Sequence, residues 1–229
     1  MVAAHFTHVD TWVFDLDNTL YHPSAGVFDR LDVRFSAYVT RLTGLDRDRA
    51  LQLCGDYWRS HGSTLAGLMA DYDVDPHDFL ADVHDIDISH LQPDPGLAVA
   101  VGALPGRKVV YTNGSHNHAK RVLAARGLTR VFDAVYGVEH ADFKPKPTAG
   151  AFDTIFAKDG ITPQTAAMFE DEARNLAVPH ALGMRTVHVH DTPEVADHIH
   201  HQTSDLTGFL SQLVRPPFPA QVNRPMSGA

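Results

Sequence analysis

The sequence predicts an α/β fold, a doubly wound parallel sheet with a helical cap inserted after its first strand. Three observations lead there. A short apolar run, Thr11-Trp12-Val13-Phe14, stands near the start and stops at acidic and turn-forming residues. A long stretch, from about residue 23 to residue 90, then carries apolar residues at helical spacing. Beyond residue 93, short apolar runs alternate with helical segments, the rhythm of a parallel sheet covered by helices on both faces.

The first strand ends at Asp15-Leu16-Asp17-Asn18-Thr19. Phe28, Leu31, Phe35, Tyr38, Val39 and Leu42 recur at three- and four-residue steps and stop at Gly44, which predicts the first helix. Further helices are predicted over 49–60, 65–72 and 76–83, the last opened by Asp75 as cap and Pro76 in the first turn. Pro93-Asp94-Pro95-Gly96 breaks the chain. Residues 108–111 then read as a strand, 116–126 as a helix closed by Gly127, 134–136 as a short strand and 148–158 as a helix. Residues 166–169 read as a strand, 173–182 as a helix stopped by Gly183, and 185–189 as the last strong strand. One strand thus precedes the helical block and four follow it. The implied division is a core of residues 1–22 and 91–214 and a helical cap of 23–90. A proline-rich tail, 215–229, is expected to be poorly ordered.

Composition bounds the function without choosing it. The chain has 229 residues, 44% hydrophobic and 21% charged, so a packed core is expected. A formal net charge of −9 argues against a nucleic-acid polymer or an anionic membrane as the main partner. It leaves room for a small phosphorylated metabolite, because a local metal and a lysine can dominate one pocket. Cys54 is the only cysteine, which excludes an intramolecular disulfide and a cysteine-rich zinc site. The N-terminus lacks a signal-peptide pattern and no apolar run is long enough to span a bilayer, so a cytoplasmic monomer or homodimer is expected. Sixteen histidines are unusual, yet His198-Ile199-His200-His201 has no supporting ligand pattern, and solvated surface histidines are the expectation.

In an open parallel sheet, ligands bind beyond the carboxyl ends of the strands. There the sequence places Asp15 and Asp17, then Thr112-Asn113-Gly114-Ser115, then Lys144-Pro145-Lys146-Pro147, then Glu170-Asp171. Each piece has a plain structural reading: aspartates in a turn, Ser115 capping a helix, an acidic pair at a helix entry. Together they suit phosphoryl transfer. Asp15 cannot approach an anionic phosphoryl group until a hard cation such as Mg²⁺, held by carboxylates, removes the repulsion. Asp17 can give the leaving oxygen a proton and later take one from water. Lys146 supplies compact positive charge, and Thr112 with adjacent N–H groups supplies oriented donors.

Phe14-Asp15-Leu16-Asp17-Asn18-Thr19-Leu20 resembles the DxDxT signature of haloacid-dehalogenase-like hydrolases, and the other three segments resemble their later motifs in the same order. The resemblance runs from about residue 10 to residue 190 and implies a Rossmannoid core with an inserted cap. It further implies an aspartyl-phosphate on Asp15, with Asp17 as general acid and base. Mg²⁺ would be held by the Asp15 carboxylate, the Asp17 backbone carbonyl and the Asp171 carboxylate, with Glu170 and Asn175 just behind it. Thr112 and Asn113 would bind phosphoryl oxygens. The family's lysine is commonly followed by an aromatic residue six positions on, which favours Lys146, ahead of Phe152, over Lys144, ahead of Gly150.

Residues 57–68, 83–87 and 169–176 also resemble the pyrimidine 5′-nucleotidase group. That likeness implies a nucleoside monophosphate substrate, with His61 and Thr64 contributing to its recognition, and Tyr57 and Trp58 as cap core. Phosphoglycolate or a sugar phosphate is the alternative substrate, and a phosphomutase shares every motif. A haloacid dehalogenase would need neither Asp17 as acid nor the Glu170-Asp171 pair. A non-catalytic binding domain would not need the set intact. No GxxxxGK[ST] segment or G-x-G-x-x-G turn supports a P-loop or dinucleotide site.

Overall fold

The structure, a computed structural model, describes residues 2–214; the segment 215–229 lies outside the described residues. Strand β1 (Thr11–Phe14) is buried along its whole length, as its unbroken apolar composition requires of a central parallel strand. The chain then passes through helices α1 (Val27–Thr43), α2 (Arg47–His61), α3 (Thr64–Asp71) and α4 (Pro76–Val83). Gly44 ends α1 at φ 76°, and Asp75 caps α4 through the N–H groups of His77 and Asp78, with Pro76 in the first turn. Next come α5 (Pro95–Gly102), β2 (Arg107–Tyr111), α6 (His116–Ala125), β3 (Ala134–Tyr136) and α7 (Ala149–Asp159). The chain ends with β4 (Ala166–Glu170), α8 (Ala177–Ala181), β5 (Arg185–Val189), β6 (His201–Thr203) and α9 (Leu206–Ser211).

The strands form one parallel sheet in the order β3-β2-β1-β4-β5-β6. This is the α/β fold expected from the alternating pattern. Successive side chains of β1 leave on opposite faces. Trp12 and Phe14 join a cluster with Val110, Phe169, Val101 and Leu210, while Val13 joins Tyr111, Met168, Phe152 and Ile155 on the other face. The Phe14 and Phe169 rings stack at 4.6 Å across the β1–β4 pair. Each such fully buried side chain contributes about 1.5–3 kcal/mol. Helices α1 to α4 pack around a third cluster, with Val39, Tyr57, Leu68 and Phe79 at its centre.

Four details differ from the sequence expectation. A fifth strand, β6, follows the helical block, paired with β5 at Val187↔His201 and Val189↔Thr203. Its His-Gln-Thr composition carries no apolar signal because it is a half-exposed edge. Helix α5 begins where only a break was expected, with Asp94 as cap and Pro95 in the first turn. Its residues are apolar on almost every side and so show no helical period. Helix α9 is only six residues long, capped by Asp205. The segment 173–182 divides into a 3₁₀ turn, Ala173–Leu176, and the short α8. No helix among the described residues is long and apolar enough to cross a membrane.

Candidate active site

The register of the sheet brings the chemistry together. The Asp15 N–H donates to Phe169 O at 2.9 Å, so the β1–β4 ladder runs one residue past Phe14 and sets Asp15 beside Glu170. On the other side of β1, the Thr112 N–H donates to Tyr136 O at 3.0 Å, just past the end of β2. Asp15, Thr112 and Glu170-Asp171 therefore crown three adjacent strands.

Lys146 reaches this point from the loop before α7 and is fully buried, whereas Lys144 lies exposed. The Lys146 ammonium donates to Asp15 Oδ1 at 2.6 Å, Glu170 Oε2 at 2.6 Å and Tyr111 O at 3.1 Å, which uses all three of its protons. Burial alone would lower its pKa, but the two carboxylates more than offset this and hold it well above the usual lysine range. Asn113 grips the backbone of the same residue. Its Oδ1 accepts from the Lys146 N–H at 2.8 Å and its Nδ2 donates to Lys146 O at 3.2 Å. The Asn113 amide thus holds the loop through Oδ1 and one Nδ2 hydrogen, which leaves its second Nδ2 hydrogen for another acceptor. Gly62, at φ 87°, lets the end of α2 approach this loop; a Cβ there would sit 3.0 Å from Pro145 Cγ.

Asp15, Glu170 and Asp171 each offer a carboxylate oxygen within 4.8 Å of the others. The crowding shows in their protonation. The Asp15 carboxyl is pushed up to about 8 by burial first and by Glu170 next, against the pull of Lys146. Asp171 is held well above the usual carboxylate range by burial, then by Asp15 and Glu170. Three carboxyl groups around one ammonium cannot all ionise cheaply in a dry site. A divalent cation with hard oxygen preference fits that donor set and would relieve the repulsion. Glu170 is also steadied by Asn175, whose Nδ2 donates to Oε1 at 3.2 Å.

Asp17 sits differently. Its Oδ1 receives the Tyr21 hydroxyl at 2.7 Å and faces His118 Nε2 at 2.8 Å. Burial tends to raise its pKa, but the nearby His118 and the two hydrogen bonds outweigh it and hold the carboxyl below its usual range. Thr112 Oγ1 accepts from the Gly114 N–H at 2.9 Å, leaving its own O–H to donate. Ser115 caps α6 through the His118 N–H.

These groups form the floor of a cavity of about 560 Å³, whose walls include Phe28, Leu31, Phe35 and Leu51. A smaller crevice of about 220 Å³, beyond Asn18 and Tyr21, contains none of the acidic cluster. Asp15, Asp17, Thr64, Thr112, Asn113, Lys146, Glu170, Asp171 and Asn175 all line the larger cavity. His61 does not. It lies exposed at the end of α2, with its ring against Tyr57 at 5.6 Å and Nδ1 on Ser60 Oγ at 2.8 Å.

Trp58, one turn earlier, lines the cavity, is 40% exposed, and carries the Arg174 guanidinium 3.6 Å over its ring; it is not cap core. Tyr57 is buried in the cluster of the helical block, as expected.

The expectation of surface histidines fails for His84, His118 and His188, all buried. His118 stands in the first turn of α6, and helix geometry sends its ring back towards the N-terminus, where the site lies. The Ser115-to-His118 spacing was the available signal. His84 stacks on it at 4.5 Å, and burial together with His118 pushes its pKa down to about 4.

The sequence profile of haloacid dehalogenase-like hydrolases matches residues 9–183. Phosphate metabolism protein 8 of Saccharomyces cerevisiae is 27% identical over 192 residues, covering 77% of this chain; the match spans 59% of the yeast protein's length. A haloacid-dehalogenase-type phosphatase from Thermococcus onnurineus has a similar structure, with TM-score 0.61 and 18% identity over 90% of this chain and 98% of that one. The hydrolase YfnB from Bacillus subtilis, bound to magnesium, aligns with TM-score 0.58 and 13% identity over 90% and 98% of the two chains. Likeness at these identities shows a shared fold.

Proposed function

The chain belongs to the haloacid dehalogenase-like hydrolase family, and from that premise we propose that it is a Mg²⁺-dependent phosphatase working through an aspartyl-phosphate on Asp15. One observation carries the reading. Asp15 is a buried carboxylate held at 2.6 Å by Lys146 inside a cluster with Glu170 and Asp171, and a second hydrogen-bonded carboxylate, Asp17, stands two residues on. Asp15, Asp171 and the Asp17 backbone carbonyl would hold the Mg²⁺, with Glu170 and Asn175 orienting them. When bound, the ion neutralises charge on the phosphoryl oxygens and on the carboxylates facing them.

The chain's own residues do the rest. Lys146 fixes one oxygen of Asp15 and leaves the other to attack phosphorus. As that bond forms, the bond from phosphorus to the ester oxygen breaks, and Asp17 passes its proton to the departing oxygen. An anionic phosphoryl group beside Asp17 favours its protonated form by like-charge repulsion, countering the pull of His118. Water then attacks phosphorus, the aspartyl bond breaks, and the water proton goes to Asp17. The Thr112 O–H donates to a phosphoryl oxygen. Dehalogenation needs neither a metal nor a second aspartate as acid, so Asp17 and the Glu170-Asp171 pair count against it.

The substrate we propose is a nucleoside 5′-monophosphate, with a pyrimidine base preferred. Its phosphate would meet the polar floor, and residues 23–90 would act as a cap over the remainder. A cavity of about 560 Å³ with aromatic and aliphatic walls is of the size that takes a ligand of this class. The magnesium in the Bacillus protein and the phosphate metabolism in the yeast protein's name support the same chemistry. Phosphate release from a panel of nucleotides, sugar phosphates and phosphoglycolate, with and without Mg²⁺, tests this. Release from none overturns the phosphatase reading, and isomerised ester in excess of free phosphate points to a mutase.

A further inference from the structure

The carboxylate of Asp17 is held on one side only. Both of its side-chain hydrogen bonds, from Tyr21 at 2.7 Å and from His118 at 2.8 Å, fall on Oδ1. Oδ2 carries neither bond and lies 3.4 Å from where a Cβ on Gly114 would stand, a position also 3.3 Å from Thr112 Oγ1 and from His118 Cδ2. Thr112 is the side chain read above as the donor to a phosphoryl oxygen.

His118 is built to stay there. It is fully buried on α6, and its Nδ1 has no partner among the described residues. A proton on Nδ1 alone would be stranded, at a cost of about 1–3 kcal/mol, and would leave Nε2 bare against a carboxylate. The ring therefore carries its proton on Nε2, where it donates to Asp17. Behind it, His84 Nδ1 lies 2.9 Å from Leu80 O, a contact only an N–H can make, and the two rings stack at 4.5 Å. Arg121, one turn on from His118 in the same helix, donates to His84 O at 2.7 Å and Ile86 O at 2.6 Å. Helix α6 thus supplies both the residue that contacts Asp17 and the residue that braces the ring behind it.

Resting on the phosphatase reading above, we infer that His118 is a positioning residue which, with Tyr21, pins Oδ1 of Asp17 so that Oδ2 is the oxygen that exchanges the proton. Two donors on Oδ1 leave that oxygen no lone pair directed at substrate. The proton that reaches the leaving group, and the one later taken from water, both travel through Oδ2. Without His118 the carboxylate can rotate about its last bond, and the donor loses its aim although its charge remains.

The test reads leaving-group dependence. An ester whose alcohol leaves as a strong base, such as glycerol phosphate, needs the proton, whereas 2,4-dinitrophenyl phosphate does not. His118→Asn keeps polarity but is too short to reach Asp17, and His118→Gln restores an N–H near the position of Nε2. His118→Asn should lower kcat/KM by on the order of 10²-fold on the alkyl ester and by less than about threefold on the dinitrophenyl ester, and His118→Gln should recover most of the difference. If His118→Asn does not fold, judged by circular dichroism, Tyr21→Phe removes the other donor and is read on the same two esters. Equal losses on both esters, or no recovery with Gln, overturn the positioning role. A wild-type protein that releases phosphate from neither ester nor any nucleotide of the panel above would overturn the parent reading instead, and if only the nucleotides turn over, UMP takes the place of the alkyl ester, so the two failures are distinct.

Discussion

Lys146 and Asp15 meet, Nζ to Oδ1, at 2.6 Å in a site where both side chains are almost closed to solvent. The same ammonium lies 2.6 Å from Glu170 Oε2, so one cation is shared between two buried carboxylates while Asp171 adds a third close by. The arrangement fixes one oxygen of Asp15, the proposed nucleophile, and crowds three carboxyl groups about a single cation.

Replacing the proposed nucleophile separates chemistry from folding. Asp15→Asn keeps the shape and an acceptor for Lys146 but cannot form the aspartyl-phosphate. Turnover should fall by about 10⁴-fold or more, with the circular dichroism spectrum and unfolding midpoint retained. Wild-type kcat in a folded Asp15→Asn protein would exclude Asp15 as nucleophile.

Removing the shared cation should unsettle the fold itself. Lys146→Met removes the cation that Asp15 and Glu170 share, and breaking a buried pair from one side costs about 3–5 kcal/mol. Urea unfolding at neutral pH measures this, and the loss should shrink as pH falls and the carboxylates take up protons. Exposed Lys144, replaced in the same way, should change the unfolding free energy by no more than about 0.5 kcal/mol.

Without metal, stability should depend on pH with a definite sign. Asp15 at about 8, and Asp171 also raised, bind protons in the folded protein that the unfolded chain has already lost. Their contribution is present at low pH and fades as pH rises towards 8. His84, lowered to about 4, works in the opposite direction, but only between about pH 4 and 6.5. Between about pH 6.5 and 8 the carboxylates act alone, so Tm in a chelator should fall across that window. Mg²⁺ should raise Tm more at pH 8 than at pH 6, because its ligands must be ionised. The same chelation should abolish phosphatase activity, and Ca²⁺, which accepts more oxygens at longer distances, should inhibit. A flat Tm profile with and without Mg²⁺ would argue against metal binding by these residues.

Substrate preference should follow the cavity wall. Trp58→Ala and Thr64→Ala should change the ratio of kcat/KM between UMP and a small aryl phosphate, on the order of tenfold for the aromatic side chain. His61→Ala, outside the cavity, should leave that ratio unchanged. A shift with His61 and none with Trp58 would place base recognition elsewhere.

Much of the molecule is legible in the sequence. Thr11-Trp12-Val13-Phe14 reads as a buried strand, because β-branched Thr11 followed by three apolar residues leaves no face for water. Asp15, Asp17, Thr112, Glu170 and Asp171 follow strand ends, which share one edge of a parallel sheet, so local sequence implies a common location. The choice of Lys146 rests on the family likeness, and the structure lines the same cavity with all six. Where local signal was absent, the reading missed elements. Edge strand β6 needs no apolar run, and helix α5 has no polar face to set a period.

Contacts between distant segments were decided by tertiary structure alone. His118 is 101 residues from Asp17 in sequence, and Lys146 is 131 from Asp15; no periodicity records which ring or ammonium will face which carboxylate. His61 and Trp58 lie three residues apart on one helix, yet only Trp58 lines the cavity, because packing of the helical block over the site fixes how that helix is turned. Sequence determined the elements, their order and the acidic strand ends, since these follow from the local balance of burial and turn chemistry. Tertiary structure determined the partners, since an electrostatic contact in a dry site depends on ångström distances that only the assembled core sets.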